Sequence, residues 1–118
     1  MWKLVAVVGA VALLAGGAAQ GARKVAPSNT SPPTISGTAH EGDTLTAGSG
    51  SWSGTAPINF AYRWQRCDAA GGNCVDVRRG SAYRVAAADA GATLRFVVVA
   101  SNEAGQQTAI SPPTAVVS

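Results

Sequence analysis

The stretch Phe60–Cys74, FAYRWQRCDAAGGNC, sets the architecture of the chain. Phe60, Tyr62 and Trp64 alternate with smaller or polar residues, and this period of two is typical of a β-strand with one buried face. The segment that follows, DAAGGN at 68–73, is composed of residues that favour turns. We therefore predict a central β-hairpin that begins with an aromatic strand.

Cys67 and Cys74 flank the predicted turn and are the only two cysteines of the chain. A zinc site normally requires four Cys or His ligands, and His40 is the single histidine. We therefore predict a structural disulfide between Cys67 and Cys74. In the chain-entropy model, a disulfide around so short a loop contributes about 2.5 kcal/mol.

The sequence predicts neither a metal site nor a catalytic site, and it predicts no cofactor. Asp68, Asn73 and Asp76 offer oxygen ligands, but their spacing does not fit a calcium-binding EF-hand loop. No nucleophile elbow accompanies His40, and the glycine pair Gly71-Gly72 lacks the lysine and helix of a phosphate-binding loop. We expect a protein that is not an enzyme.

The N-terminal residues 1–21 match a secretory signal peptide. Lys3 precedes the apolar run LVAVVGAVALLA, and small residues follow it. We predict cleavage near Gly21 and a secreted or cell-surface protein, an oxidising location in which a disulfide persists. The alternative is an uncleaved N-terminal helix that anchors the protein in a membrane, although the apolar run is shorter than the ~20 residues that a spanning helix needs. After cleavage we expect no stable membrane span.

The mature chain divides into a polar, proline-containing linker at 22–32 and one domain at 33–118. The mature chain holds eight Lys and Arg residues against six Asp and Glu residues, so its net charge is plus two. This weak positive field does not indicate nucleic acid as a partner.

The strongest predicted strand is TLRFVVVAS at 93–101, with Val97 and Val99 on its second face. These two residues indicate either a central, covered strand or an exposed apolar patch. Turn signals recur every eight to twelve residues or so, which is the spacing of an all-β sandwich of about seven to eight short antiparallel strands. AAADAGA at 86–92 is predicted to be a corner in which Asp89 bonds to local backbone. TAVV at 114–117 is predicted to be a closing strand. Other residues predicted to face the core are Ile35, Leu45, Val75, Val77, Tyr83, Val85, Leu94, Phe96, Val98 and Ala100.

Several short sequence motifs resemble those of an extracellular immunoglobulin-like or fibronectin type III-like repeat that is common in secreted actinobacterial proteins. They are PPTISGTA, GDTLTA, SW, YRWQRC, DAGATLR and SNEAG, and together they cover nearly all of the mature chain. The chain departs from antibody domains because Arg95 stands on the late strand where those domains carry a cysteine, and because the corner tyrosine is missing. The resemblance implies an immunoglobulin-like β-sandwich that serves as a spacer or adhesive module.

Two features are candidates for a binding surface. Trp52, in a loop rich in glycine and serine, either covers one end of the core or forms an exposed platform for a ligand. Arginines on the predicted outer strand faces form either an ordinary solvated surface or a contact for a partner protein or an acidic cell-wall polysaccharide. These are Arg63, Arg78, Arg79, Arg84 and Arg95. The sequence thus predicts a binding, adhesive or spacer module; the alternative is a carbohydrate-binding module that uses exposed aromatic residues.

Overall fold

The computed structural model describes residues 23–118, so the predicted leader at 1–21 lies outside the described residues. The described part is all-β, with nine strands and one short 3₁₀ helix at Ala87–Asp89. The strands are β1 (Ser28–Ser31), β2 (Thr34–Ser36), β3 (Thr44–Gly48), β4 (Ser51–Ser53), β5 (Asn59–Cys67), β6 (Val75–Arg79), β7 (Ala82–Arg84), β8 (Thr93–Asn102) and β9 (Gly105–Ile110).

These strands form three antiparallel sheets. Four strands pair in the order β9-β8-β5-β6, three pair in the order β2-β3-β7, and β1 pairs with β4 as a two-stranded ribbon. The predicted hairpin is confirmed, since β5 pairs with β6 across the turn that Cys67 and Cys74 close with a disulfide. The prediction of an all-β, antiparallel fold is therefore confirmed.

One hydrophobic core receives side chains from both larger sheets. Trp64 of β5 is fully buried and stacks on Tyr83 of β7, with 5.7 Å between the ring centroids. Phe96 of β8 packs on the other side of Trp64 at 5.1 Å. Leu45 from β3 is also fully buried in this core. Burial of this kind is the main favourable term in folding, so the two sheets stabilise each other through Trp64 and its neighbours.

Strand β8 is one of the two central strands of the four-stranded sheet, as its sequence predicts. Its inward residues Leu94, Phe96, Val98 and Ala100 are all fully buried. Val97, on the opposite face, is only 1% exposed because it lies between Arg63 of β5 and Ile110 of β9. Of the two alternatives for this face, a covered central strand or an exposed apolar patch, the structure therefore shows the covered strand at Val97.

Two residues predicted to face the core are exposed instead. Phe60 is 39% exposed because the start of β5 extends towards Trp52 of the β1–β4 ribbon, where the cover is partial. Val75 is 52% exposed because it pairs with Arg66 at the outer edge of the sheet, beyond the apolar cover. Ile35 and Val77 are partly buried and do pack against the core.

The segment predicted to be a linker is extended, as expected, but it is bonded to the domain. Its strand β1 pairs with β4, and Thr55 and Val25 exchange backbone and side-chain hydrogen bonds. Gly50 and Gly54 allow this close approach, because a Cβ on Gly54 would lie 3.0 Å from a carbonyl oxygen of the N-terminal segment. At Gly50, φ is +77°, and a Cβ would also collide with that segment. The strand was missed because its side chains are polar and its stability comes from pairing.

The C-terminal residues 111–118 continue the edge of β8 without forming the closing strand that the sequence predicts at 114–117. Pro112 and Pro113 interrupt the regular ladder, since proline has no N–H to donate. Two side-chain hydroxyls of this segment accept hydrogen bonds from β8 in place of backbone carbonyls: Ser111 accepts from the N–H of Phe96 at 2.9 Å, and Thr114 accepts from the N–H of Leu94 at 3.0 Å.

The two ends of the described chain lie at opposite ends of β8. Asn102, the last residue of β8, donates its side-chain N–H to the carbonyl of Val25 at 2.8 Å. Val117 bonds to Ala92, which immediately precedes β8, and Ser118 bonds to Ala39. A strand of this length spans about 30 Å. The chain therefore enters the domain at one pole and leaves it at the other.

Candidate functional site

The outer face of the four-stranded sheet gathers most of the polar side chains predicted to form a surface. On β5, Arg63 and Gln65 alternate with the buried Trp64, so they point away from the core. On β8, Arg95 lies directly opposite Gln65. On β6, Arg79 lies directly opposite Arg63. The pairing register thus brings three of the predicted arginines onto one surface.

A chain of polar contacts holds this surface. Arg95 donates from Nε to Oε1 of Gln65 at 2.7 Å, and Gln65 donates from Nε2 to Oδ1 of Asp76 at 2.8 Å. The same carboxylate oxygen lies 3.1 Å from Nε of Arg63. Asp76 therefore orients two neighbours and neutralises one of the surrounding positive charges.

A β-bulge in β6 changes which way Arg78 points. The pairing shifts between Trp64 and Gln65, so Arg78 lies opposite Trp64 and Val77 becomes the extra residue. The regular alternation of the sequence predicts Arg78 on the outer face, and this prediction is wrong because of the bulge. A groove of about 540 Å³ lies beside the bulge. It is lined by Ala61, Tyr62, Arg63, Asp76, Val77, Arg78 and Arg79.

Arg84 and Trp52 do not belong to the same surface. Arg84 lies on β7 of the three-stranded sheet, next to the inward Tyr83, so it is exposed on that sheet's outer side. Trp52 lies in the β1–β4 ribbon, where it is half-buried, packs against the core, and donates from Nε1 to the carbonyl of Ser49 at 2.8 Å. The predicted binding residues therefore divide among four places: the outer face of the four-stranded sheet, the position of Arg78 opposite Trp64, the outer side of the three-stranded sheet at Arg84, and the ribbon at Trp52.

A row of aromatic side chains runs from the core to the surface. Tyr62 stacks on the buried Phe96 with ring centroids 5.5 Å apart, and Phe60 stacks on Tyr62 at 6.2 Å with nearly parallel rings. Trp52 contacts Phe60 edge-on at 6.0 Å. The most exposed ring of the row is Phe60, which the sequence predicts to face the core, whereas Trp52 packs against the core, one of the two alternatives that the sequence left open.

The disulfide loop is organised by Asp68. Its Oδ1 accepts from the N–H groups of Ala70 and Gly72, and its Oδ2 accepts from the side-chain amide of Asn73. These donors, with Asn73 contributing most, lower the pKa of Asp68 below its usual value. Both oxygens thus hold the turn of the loop by accepting from N–H donors. Within residues 23–118, no group of three or more His, Cys, Asp or Glu side chains is placed to hold a metal ion.

A buried charged cluster lies under the same end of the sheet. Asp89 is fully buried and accepts hydrogen bonds from the Tyr83 hydroxyl at 2.6 Å, the Ala86 N–H at 2.8 Å and Nη1 of Arg66 at 2.9 Å. Burial alone would raise the pKa of Asp89, but these donors outweigh it and the pKa lies below its usual value. Burial and the bond to Asp89 raise the pKa of Tyr83 to about 12.

The bond from Ala86 agrees with the local backbone role that the sequence indicates for Asp89. The part played by Arg66 was missed. The sequence does contain a sign of this ion pair: Arg66 occupies an inward position two residues after Trp64, and a charged side chain at such a position needs a partner. His40, considered as a candidate metal ligand, lies 3.1 Å from the hydroxyl of Ser118 through Nδ1.

Comparisons of the chain with models of protein families, with curated proteins and with solved structures each find no match. Within residues 23–118, no helix is long and apolar enough to cross a membrane.

Proposed function

We propose that this chain is a secreted or cell-surface module with an immunoglobulin-like β-sandwich, and that it acts as a spacer and binding element. Two observations support the sandwich: a four-stranded and a three-stranded antiparallel sheet contribute to one core, and the chain crosses from one sheet to the other between β6 and β7 and back again between β7 and β8. The leader-like residues at 1–21 and the disulfide support export.

The observation that carries the spacer role is the position of the two chain ends. Val25 is held at one pole by Thr55 and Asn102, and Ser118 is held at the other by Ala39. A module with this geometry separates whatever precedes it from whatever follows it by about the length of β8, or ~30 Å. Both ends are bonded to the sheets, so the separation is fixed by the fold.

Single-molecule pulling tests this proposal. A force applied at residues 23 and 118 loads β1 against β4, and residues 111–117 against β8, along their lengths. The hydrogen bonds of each pair then share the load. A force applied instead across the β8–β9 turn, at Asn102 and Gly105, opens those bonds one after another. We expect a clearly higher unfolding force for the first geometry; an equal or lower one would contradict the spacer role.

A second candidate is a carbohydrate-binding module, favoured by the exposed ring of Phe60. An exposed aromatic face supported from behind by Tyr62 is the kind of platform on which sugar rings stack. The test is calorimetry with soluble polysaccharides, comparing Phe60→Leu with the parent protein and with Ile110→Ala, which alters an exposed apolar residue elsewhere. Loss of binding in Phe60→Leu alone supports this function, and unchanged binding in that variant excludes Phe60 as the platform.

A further inference from the structure

The outer face of the four-stranded sheet carries an excess of positive charge. Arg63, Arg79 and Arg95 lie on it with a single carboxylate, Asp76. Among the described residues, Arg79 and Arg95 have no carboxylate within ion-pair distance. The whole mature chain has a net charge of only plus two, so this face concentrates a charge that the rest of the surface lacks.

The contacts within this face leave the ends of the guanidinium groups available. Nε of Arg63 lies 3.1 Å from Asp76 in an ion pair that lacks hydrogen-bond geometry, and Nε of Arg95 donates a hydrogen bond to Gln65. Across the part of the chain that the structure describes, the terminal nitrogens of these two arginines form no hydrogen bond. The network therefore orients each guanidinium and spares the pair of N–H groups that bind an oxyanion in bidentate fashion.

The spacing of the three arginines suits a ligand with several anionic groups. Arg63 and Arg79 are directly opposite each other, which places their Cβ atoms about 5 Å apart, and like charges in that arrangement are unfavourable without a counter-ion. Arg95 lies diagonally from Arg63, roughly 7–8 Å away. The groove beside Arg63 and Arg79, about 540 Å³ in volume, is large enough to receive one such anionic group.

We propose that this face, formed by Arg63, Arg79 and Arg95, is a binding site for a linear polymer with repeated oxyanion groups, such as sulfate, phosphate or carboxylate. The three guanidinium groups lie across three neighbouring strands and bind successive anionic groups of the polymer, while Gln65 holds Arg95 and Asp76 lies against Arg63. The site deepens the proposed binding role by giving the module a ligand class, and it does not depend on the spacer geometry.

The test measures binding of dextran sulfate, polyphosphate and poly-glutamate to the mature protein by calorimetry, with neutral dextran as the uncharged control. The informative variant is Arg79→Gln, and the matched control is Arg84→Gln. Both substitutions remove one exposed positive charge, but Arg84 lies on the outer side of the other sheet. Far-UV circular dichroism checks that both variants are folded.

We expect the anionic polymers to bind and neutral dextran not to bind. Arg79→Gln should weaken binding about fivefold, the upper range for one exposed ion pair, while Arg84→Gln changes it by less than twofold. The three polymers distinguish which oxyanion the site prefers. Equal weakening in both variants would show attraction by bulk charge alone and overturn the site, as would no binding of any anionic polymer. Tighter binding of double-stranded DNA than of all three polymers would replace the proposal with a nucleic-acid site.

Discussion

The buried carboxylate of Asp89 gives the sharpest test of how the two sheets are joined. Three donors converge on it: the Tyr83 hydroxyl from the three-stranded sheet, Arg66 from the four-stranded sheet and the backbone N–H of Ala86. Asp89→Asn preserves the shape of the side chain but replaces one acceptor oxygen with an NH₂ group. At least one donor then faces another donor in a site that water does not reach.

The expected cost follows from these contacts. Breaking a buried charged pair costs about 3–5 kcal/mol, and an unsatisfied buried donor costs about 1–3 kcal/mol. The side chain of Arg66 is 32% exposed and can turn towards water, so the contribution of its ion pair is reduced. We therefore expect Asp89→Asn to lower the free energy of unfolding by about 2–4 kcal/mol.

The pH dependence provides a second measure of the same cluster. Because the pKa of Asp89 is lower in the folded protein, its stabilisation is present above the unfolded pKa of about 3.9 and is lost as the pH falls through the folded value. The pKa of Tyr83 is raised to about 12, so its stabilisation is present below pH ~10 and is lost as the pH rises towards 12.

Urea unfolding followed by tryptophan fluorescence at pH 7 and at pH 3 measures the cost of Asp89→Asn and its dependence on acid. The matched control is Asp43→Asn, which removes the charge of an exposed aspartate that forms no ion pair with the described residues. We expect that control to change stability by less than about 0.5 kcal/mol. A loss below ~1 kcal/mol in Asp89→Asn, or an acid sensitivity equal to that of the parent protein, would contradict the assigned role of Asp89.

Two further predictions concern the edges of the four-stranded sheet. Ser111→Ala should lower the free energy of unfolding by about 1–3 kcal/mol, because it leaves the N–H of Phe96 buried without its acceptor. Thermal unfolding measures this change. A loss below about 0.5 kcal/mol would contradict the role of the Ser111 hydroxyl as an acceptor for β8. Replacing both Cys67 and Cys74 with serine should cost about 2.5 kcal/mol in urea unfolding, while treatment of the variant with a reducing agent should change nothing further.

The core was predictable from the sequence because burial follows the alternation of a strand. Trp64 and Phe96 occupy inward positions by simple counting, and both are fully buried. The alternation of inward and outward residues gives the wrong burial where a strand extends beyond the opposite sheet, as at Phe60. It also gives the wrong direction after a β-bulge, as at Arg78. Neither the extent of the cover nor the bulge is encoded in the local period of two.

The candidate anion surface was only partly predictable for the same reason. The sequence grouped Arg63, Arg79 and Arg95 with Arg84, but sheet membership depends on which distant strands pair. Arg84 follows Tyr83 on a strand of the other sheet, so it faces away from the group. The pairing of β1 with β4 was likewise hidden, because polar strands such as Ser28–Ser31 are specified by their partner and not by their own hydrophobic pattern.

The most direct test of the proposed spacer geometry is the distance between the two ends of the domain. Single-molecule fluorescence energy transfer between dyes at positions 24 and 118 should give one narrow distance distribution of about 30–40 Å, allowing for the dye linkers. Gly50→Ala should broaden it, because a Cβ at position 50 collides with the N-terminal segment and releases β1 from β4. A short distance, or a broad distribution in the parent protein, would contradict a domain that holds its ends apart.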